Sequence, residues 1–99
     1  MNVQIQSVHF NADVKLLEHV QKRIDKLSTF YDRITGVEVF LKLGNKNAKV
    51  KDKIAEIKVN IPKRSLFSKH ESKVFEESFD EAFNSMVEQI KRQKERLRA

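Results

Sequence analysis

The sequence predicts an α+β domain in which two helices pack on one face of a four-stranded sheet, in the order β-α-β-β-β-α. Three observations lead there. Two long segments repeat apolar residues every three or four positions, the spacing of a helix with one buried stripe. Four shorter segments alternate polar and apolar residues, the spacing of half-buried strands. The last three of these follow one another through short connections, so they are expected to pair as an antiparallel meander that both helices can cover.

The elements are justified in order. Val3 and Ile5 share one side of a first strand, whereas Val8 and Phe10 fall on the opposite parity, which predicts a bulge or bend. A helix is expected across "NADVKLLEHVQKRIDKLSTFY", residues 11–31, capped by Asn11 or Asp13. Its stripe is Leu17, Val20, Ile24, Leu27 and Tyr31, and Gly36 breaks the pattern. "VEVFLKL" turns Val37, Val39, Leu41 and Leu43 inward and leaves Glu38, Phe40 and Lys42 outside. "GNKNAKVKDK" reads as an exposed connection. "IAEIKVNIP" places Ala55, Ile57, Val59 and Ile61 inward and stops at Pro62, which cannot donate to a ladder. "SLFSKHES" is the weakest strand, an edge with Leu66, Ser68 and His70 on the core side. The final helix carries Phe75, Phe79, Ala82, Phe83, Met86 and Ile90 at helical spacing, with Leu97 continuing the stripe.

Ninety-nine residues suffice for one domain, spanning 1–99, with one core. There is no cysteine, so neither a disulfide framework nor a thiolate metal site is expected. No apolar run reaches membrane-span length, and the alternating first residues do not form a secretory signal. A cytoplasmic protein is expected. The 20 Lys and Arg exceed the 14 Asp and Glu, for a net charge of +6. That excess favours a polyanionic partner, nucleic acid before an acidic membrane, over a charge kept for solubility alone.

The residues point to binding and not to catalysis. The two glycines cannot build a phosphate loop. His9, His19 and His70 lie on different elements without a second ligand at metal spacing, so no metal and no cofactor is expected. Glu76, Glu77, Asp80 and Glu81 suit the positive end of a helix dipole. The basic residues are more telling. Lys15, Lys22 and Lys26 lie opposite the first helix's stripe, with Arg23 at its margin. The segment 91–98 holds Lys91, Arg92, Lys94, Arg96 and Arg98 against Glu95 alone. A helix dipole asks for cations in its last turn, at a few tenths of a kcal/mol each. It does not ask for so many across two turns, where 92 with 96 and 94 with 98 repel as i,i+4 pairs. A phosphate backbone is the natural counter-charge, and Lys63 and Arg64 beside Pro62 can extend the patch. Outward aromatics for base stacking are limited to Phe40, with Phe67 a second candidate, so phosphate and shape recognition is expected over sequence readout. The competing reading is a protein-interaction module anchored by Phe40 on the open sheet face.

Two stretches, "LEHVQKRIDKLSTFYDRITGVEVFLK" from Leu17 to Lys42 and "FEESFDEAFNSMVEQIKRQKERL" from Phe75 to Leu97, resemble the ribosome hibernation-promoting factors, also called ribosome-associated inhibitors or subunit-interface proteins. Lys26, Leu27, Phe30, Tyr31, Asp32 and Arg33 are similar to the family's first-helix ending. Asp80, Gln89, Ile90, Arg92, Lys94 and Arg96 are similar to its final helix. The resemblance implies a fold like that of double-stranded-RNA-binding domains, seated in the messenger and transfer RNA channel of the small ribosomal subunit. It implies translation inhibition during stress or stationary phase, with rRNA phosphates and ribosomal proteins as partners. Away from the ribosome a monomer is expected, and no membrane partner. Arg23, Lys26, Arg33, Arg92, Lys94 and Arg96 carry over as RNA contacts; Lys22, Lys63, Arg64, Lys91 and Arg98 join them from the patch itself. Asn84 and Ser85 stand where members often carry an acidic residue followed by lysine, and Glu88 where they often carry a basic one, which moves the expected contact toward the C-terminus. The chain is expected to act as a short form, without the extension through which long members pair ribosomes.

Overall fold

The computed structural model describes residues 1–44 and 52–98, the last two by backbone alone. In chain order it forms β1 (Asn2–Val8), α1 (Val14–Asp25), the single-turn α2 (Leu27–Phe30), β2 (Gly36–Leu43), β3 (Lys53–Ile61), β4 (Arg64–Ser72) and α3 (Phe75–Arg98). The sheet order is β1-β2-β3-β4, with β1 parallel to β2 and the remaining neighbours antiparallel. The expected meander is therefore present, and the weak fourth strand is a full edge strand. The expected connection "GNKNAKVKDK" lies mostly outside the described residues, as do the side chains of Leu97 and Arg98.

The alternation of β2 and β3 decides which face is covered. Val37, Val39, Leu41, Ala55, Ile57, Val59 and Ile61 are buried beneath the helices. From above come Leu16, Val20, Ile24 and Leu27, and along α3 Phe75, Phe79, Ala82, Phe83, Met86 and Ile90. On β4, Ser68 points inward and donates to the carbonyl of Ala82 at 2.8 Å, so its buried hydroxyl is satisfied.

The parity change, expected as a bulge or a bend, is a bend, and two other local expectations are corrected. β1 holds an unbroken register with β2 through Val8, so the parity change is not a bulge. The chain turns at His9, whose φ is 63°, and delivers Phe10 to stack on Phe75 at 4.9 Å. The helix from Val14 does not run on to Tyr31. Ser28 and Thr29 donate their hydroxyls to the carbonyls of Asp25 and Lys26, a competition that interrupts a helix. Tyr31 is extended (φ −159°) yet still buried. Finally, the stripe begins at Leu16, with Leu17 only half-buried. Asp13, and not Asn11, caps α1 by accepting from Lys15 N at 2.8 Å.

Candidate nucleic-acid interface

Topology gathers the basic residues at one end of the molecule. α1 runs against the strands it connects, and α3 returns in the same direction after β4. Their contacts climb together: His19 meets Asp80, Arg23 lies over Phe83, and the chain following α1 meets Lys94 through the Phe30 carbonyl. The helices are thus parallel, with both C-termini at one end. That end also holds the 31–35 segment and the β3–β4 turn. Asn2 N donates to Thr35 O at 3.1 Å, Thr35 N to Asn60 O at 2.9 Å, and Arg64 Nη1 to Gln93 Oε1 at 2.8 Å.

Each candidate residue can now be placed. Lys22 and Arg23 belong to the last turn of α1 and Lys26 is its C-cap; Lys22 and Lys26 are exposed. Arg33 is exposed in the segment entering β2. Pro62 and Lys63 make the two-residue turn between the paired Ile61 and Arg64. Lys63 takes a φ of 71° there, as a type II turn requires of its second central residue. Lys91, Arg92 and Arg96 are exposed on α3, Lys94 is half-buried, and Arg98 follows in the same helix. The two parallel helix dipoles put their negative ends here, which offsets part of the repulsion among these cations.

Several of the candidates line hollows at this end. His19, Lys22, Arg23 and Lys26 line a hollow on the α1 side. Lys94 lines another with Ser28, Thr29, Phe30, Tyr31 and Asp32, and donates to the Phe30 carbonyl at 3.3 Å. Arg92 and Arg96 line a third with Arg64, Leu66, Gln89 and Gln93. Arg92, Lys94 and Arg96 do not share one side of α3. Residues two positions apart on a helix differ by roughly 200° in direction, so Lys94 turns toward α2 while Arg92 and Arg96 turn toward β4.

Supporting residues were missed. Asp80 Oδ1 accepts from His19 Nε2 at 2.7 Å and lies 3.7 Å from Arg23 Nε, so it steadies Arg23 beside the α1 hollow. Gln89 donates to the Phe67 carbonyl at 2.7 Å, and Gln93 accepts from Arg64. Writing out the i, i+3, i+4, i+7 series from Gln89 would have grouped Gln89, Arg92, Gln93 and Arg96. Ser85 sits 2.9 Å from His70 Nε2, whose other nitrogen lies 3.4 Å from Glu81.

The open face of the sheet is balanced by comparison. Glu38 opposes Lys58, Glu56 opposes Lys69, and Lys42 reaches Glu56 at 3.0 Å. Phe40 is half-buried with Lys42 over its ring at 5.8 Å, whereas Phe67 is 51% exposed. Among the described residues, no cluster of three His, Asp or Glu side chains could hold a metal. Among the described residues, no helix is long and apolar enough to cross a membrane.

Residues 3–98 match the family model described as "Sigma 54 modulation protein / S30EA ribosomal protein". The chain belongs to this family. No curated protein matches it by sequence. Among solved structures, the family member resembles a ribosomal subunit interface protein from Coxiella burnetii, with a TM-score of 0.81 and 18% identity over 95% of this chain and 98% of the other. It also resembles the N-terminal domain of Protein Y from Thermus thermophilus, with a TM-score of 0.76 and 22% identity over 93% and 98% of the two chains. At such identities the likeness concerns the fold.

Proposed function

We propose that this family member is a ribosome-associated translation inhibitor. In this reading it enters the messenger and transfer RNA channel of the small subunit and silences idle ribosomes under stress or in stationary phase. It acts in the cytoplasm as a monomer that basic side chains attach to rRNA phosphates. The observation that carries the reading is the convergence of both helix C-termini, the 31–35 segment and the β3–β4 turn on one basic end. The family description and the names of the structural neighbours point the same way.

The test is sedimentation with purified small ribosomal subunits across a salt series. Binding should weaken steeply as salt rises, because each neutralised phosphate releases counterions. Changing Arg92, Lys94 and Arg96 together to Glu should abolish co-sedimentation while circular dichroism stays native. Undiminished binding by that variant would remove this end from the interface. The exposed Phe67 favours a second reading, a protein partner on the open sheet face. Loss of ribosome binding in Phe67→Ala, with little salt dependence, would select it.

A further inference from the structure

We infer that the outer edge of β4, with the flank of α3 above it, pairs with the same surface of a second copy of this chain. β4 ends the sheet and holds its register with β3 over Arg64–Ser72 without a bulge or a proline. Gly44 N donates to Asp52 O at 2.8 Å, and the Asn60 carbonyl accepts from Thr35 N, so the even-numbered residues of β3 bond toward β2. Opposite them on β4, Ser65, Phe67, Lys69 and Glu71 therefore turn their backbone groups outward. The Phe67 carbonyl is covered there by Gln89 Nε2 at 2.7 Å. Among the described residues, no hydrogen bond reaches the outward backbone groups of Lys69 and Glu71. An open edge of this kind can add a further strand.

Self-complementarity identifies the occupant. A two-fold axis at Ser68 sets Phe67 of each copy opposite Lys69 of the other, so an ammonium meets an aromatic ring twice on the open face. Above the edge, contacts with β4 define one flank of α3: Glu81 and Ser85 meet His70, Gln89 meets Phe67, and Gln93 meets Arg64. Along this flank the exposed Glu77 and Glu81 come first, then Ser85 and Gln89, then Arg92 and Arg96. Glu88, at its outer margin, is offset by Arg92 four residues on. α3 stands level with Ser68 between Ala82, whose carbonyl Ser68 reaches, and Gln89. Glu81 and Arg92 lie at similar distances on either side of that point. The two-fold reverses the second helix, so Glu81 of each copy faces Arg92 of the other and Glu77 approaches Arg96. Gln89 guards the edge, since its bond to Phe67 has to open before Lys69 N of the second copy takes that carbonyl. A contact this short is weak, so dilute protein is monomeric and the pair forms as concentration rises. The pair covers Arg92 and Arg96, which makes it a form held away from the ribosome. That consequence rests on the functional reading above, whereas the pairing does not.

Sedimentation equilibrium of the free chain over a concentration series tests the pairing without any ribosome present. The expected result is a reversible rise from monomer to dimer. Glu81→Arg or Arg92→Glu alone should weaken it by about tenfold, because the two-fold makes each substitution act twice. The two substitutions combined restore opposite charges and should return the affinity to within about threefold of the parent. Gln89→Ala removes the guard and should strengthen the pairing. The Lys69 amide faces outward, so Lys69→Pro deletes a donor that only the pairing uses and should leave a monomer with native circular dichroism. A chain that stays monomeric at every concentration would overturn the inference. So would a dimer that persists in Lys69→Pro, or one that the combined charge exchange fails to restore. None of these outcomes touches the subunit-binding test above, which stands or falls on its own salt series.

Discussion

At the scale of single residues, two side chains shape the basic end, Lys63 from within it and Asp80 from behind it. Lys63 holds a left-handed φ of 71° that glycine would adopt freely. A side chain there costs roughly 1 kcal/mol. Lys63→Gly should therefore raise the urea midpoint with an unchanged slope, whereas Lys63→Val should lower it. Asp80 joins α3 to α1 through His19 at 2.7 Å and stands 3.7 Å from Arg23. Asp80→Ala should cost about 1 kcal/mol in the same titration, the ordinary worth of such a bond. It should also weaken ribosome binding, because Arg23 loses the carboxylate that steadies it. Unaltered binding would show that Arg23 needs no such support. The sequence offers Lys63 as a charge and Asp80 as a family-like residue but not these roles, since one depends on a backbone angle and the other on a contact between residues 61 positions apart.

At the scale of elements, periodicity revealed most of the fold because burial enforces it. The alternating inward residues of β2 and β3 and the Phe75–Ile90 stripe are all buried as their spacing demands. The failures occur where local hydrogen bonds outweigh pattern, as where Ser28 and Thr29 bond backward and break the helix before Tyr31. The division of α3 into two flanks was legible in principle, because it follows from helix geometry alone. α3 also separates stability from binding along its length. Ile90 is the last fully buried residue of its described stripe, so Ile90→Ala should cost roughly 2–5 kcal/mol and release the C-terminal turns, seen as faster amide exchange at residues 91–96. Arg92 and Arg96 act in the opposite sense. As exposed like charges at i,i+4 they oppose the helix by about 0.2–0.5 kcal/mol. Changing both to Gln should raise the melting temperature slightly at low salt while weakening subunit binding. A lowered melting temperature would mean that their stems or hydrogen bonds outweigh the repulsion.

At the scale of the whole molecule, the decisive property is charge polarity. It was legible in the sequence only in part, as the run of bases at 91–98, because Lys22, Arg33 and Arg64 lie far from that run along the chain. Three features of topology collect them: parallel pairing of β1 with β2, a return helix after β4, and a tight turn between β3 and β4. The acidic start of α3, with Glu76 and Glu77 exposed, is left at the opposite end. Net charge and charge placement can therefore be separated by experiment. Lys15→Glu with Lys73→Glu, both near helix N-termini, and Lys22→Glu with Arg92→Glu, near helix C-termini, each lower the net charge from +6 by the same amount. If overall charge governed binding, the two double variants would lose equal affinity for the small subunit. Screening at physiological salt extends only about 8 Å, so a charge remote from the phosphates contributes little. Lys22→Glu with Arg92→Glu should lose at least about tenfold in affinity and show a shallower salt dependence, since fewer counterions are released. Lys15→Glu with Lys73→Glu should stay within about twofold of the parent at physiological salt. Equal losses would mean that the protein is held by a diffuse field, and that the basic end has no privileged contact with the ribosome.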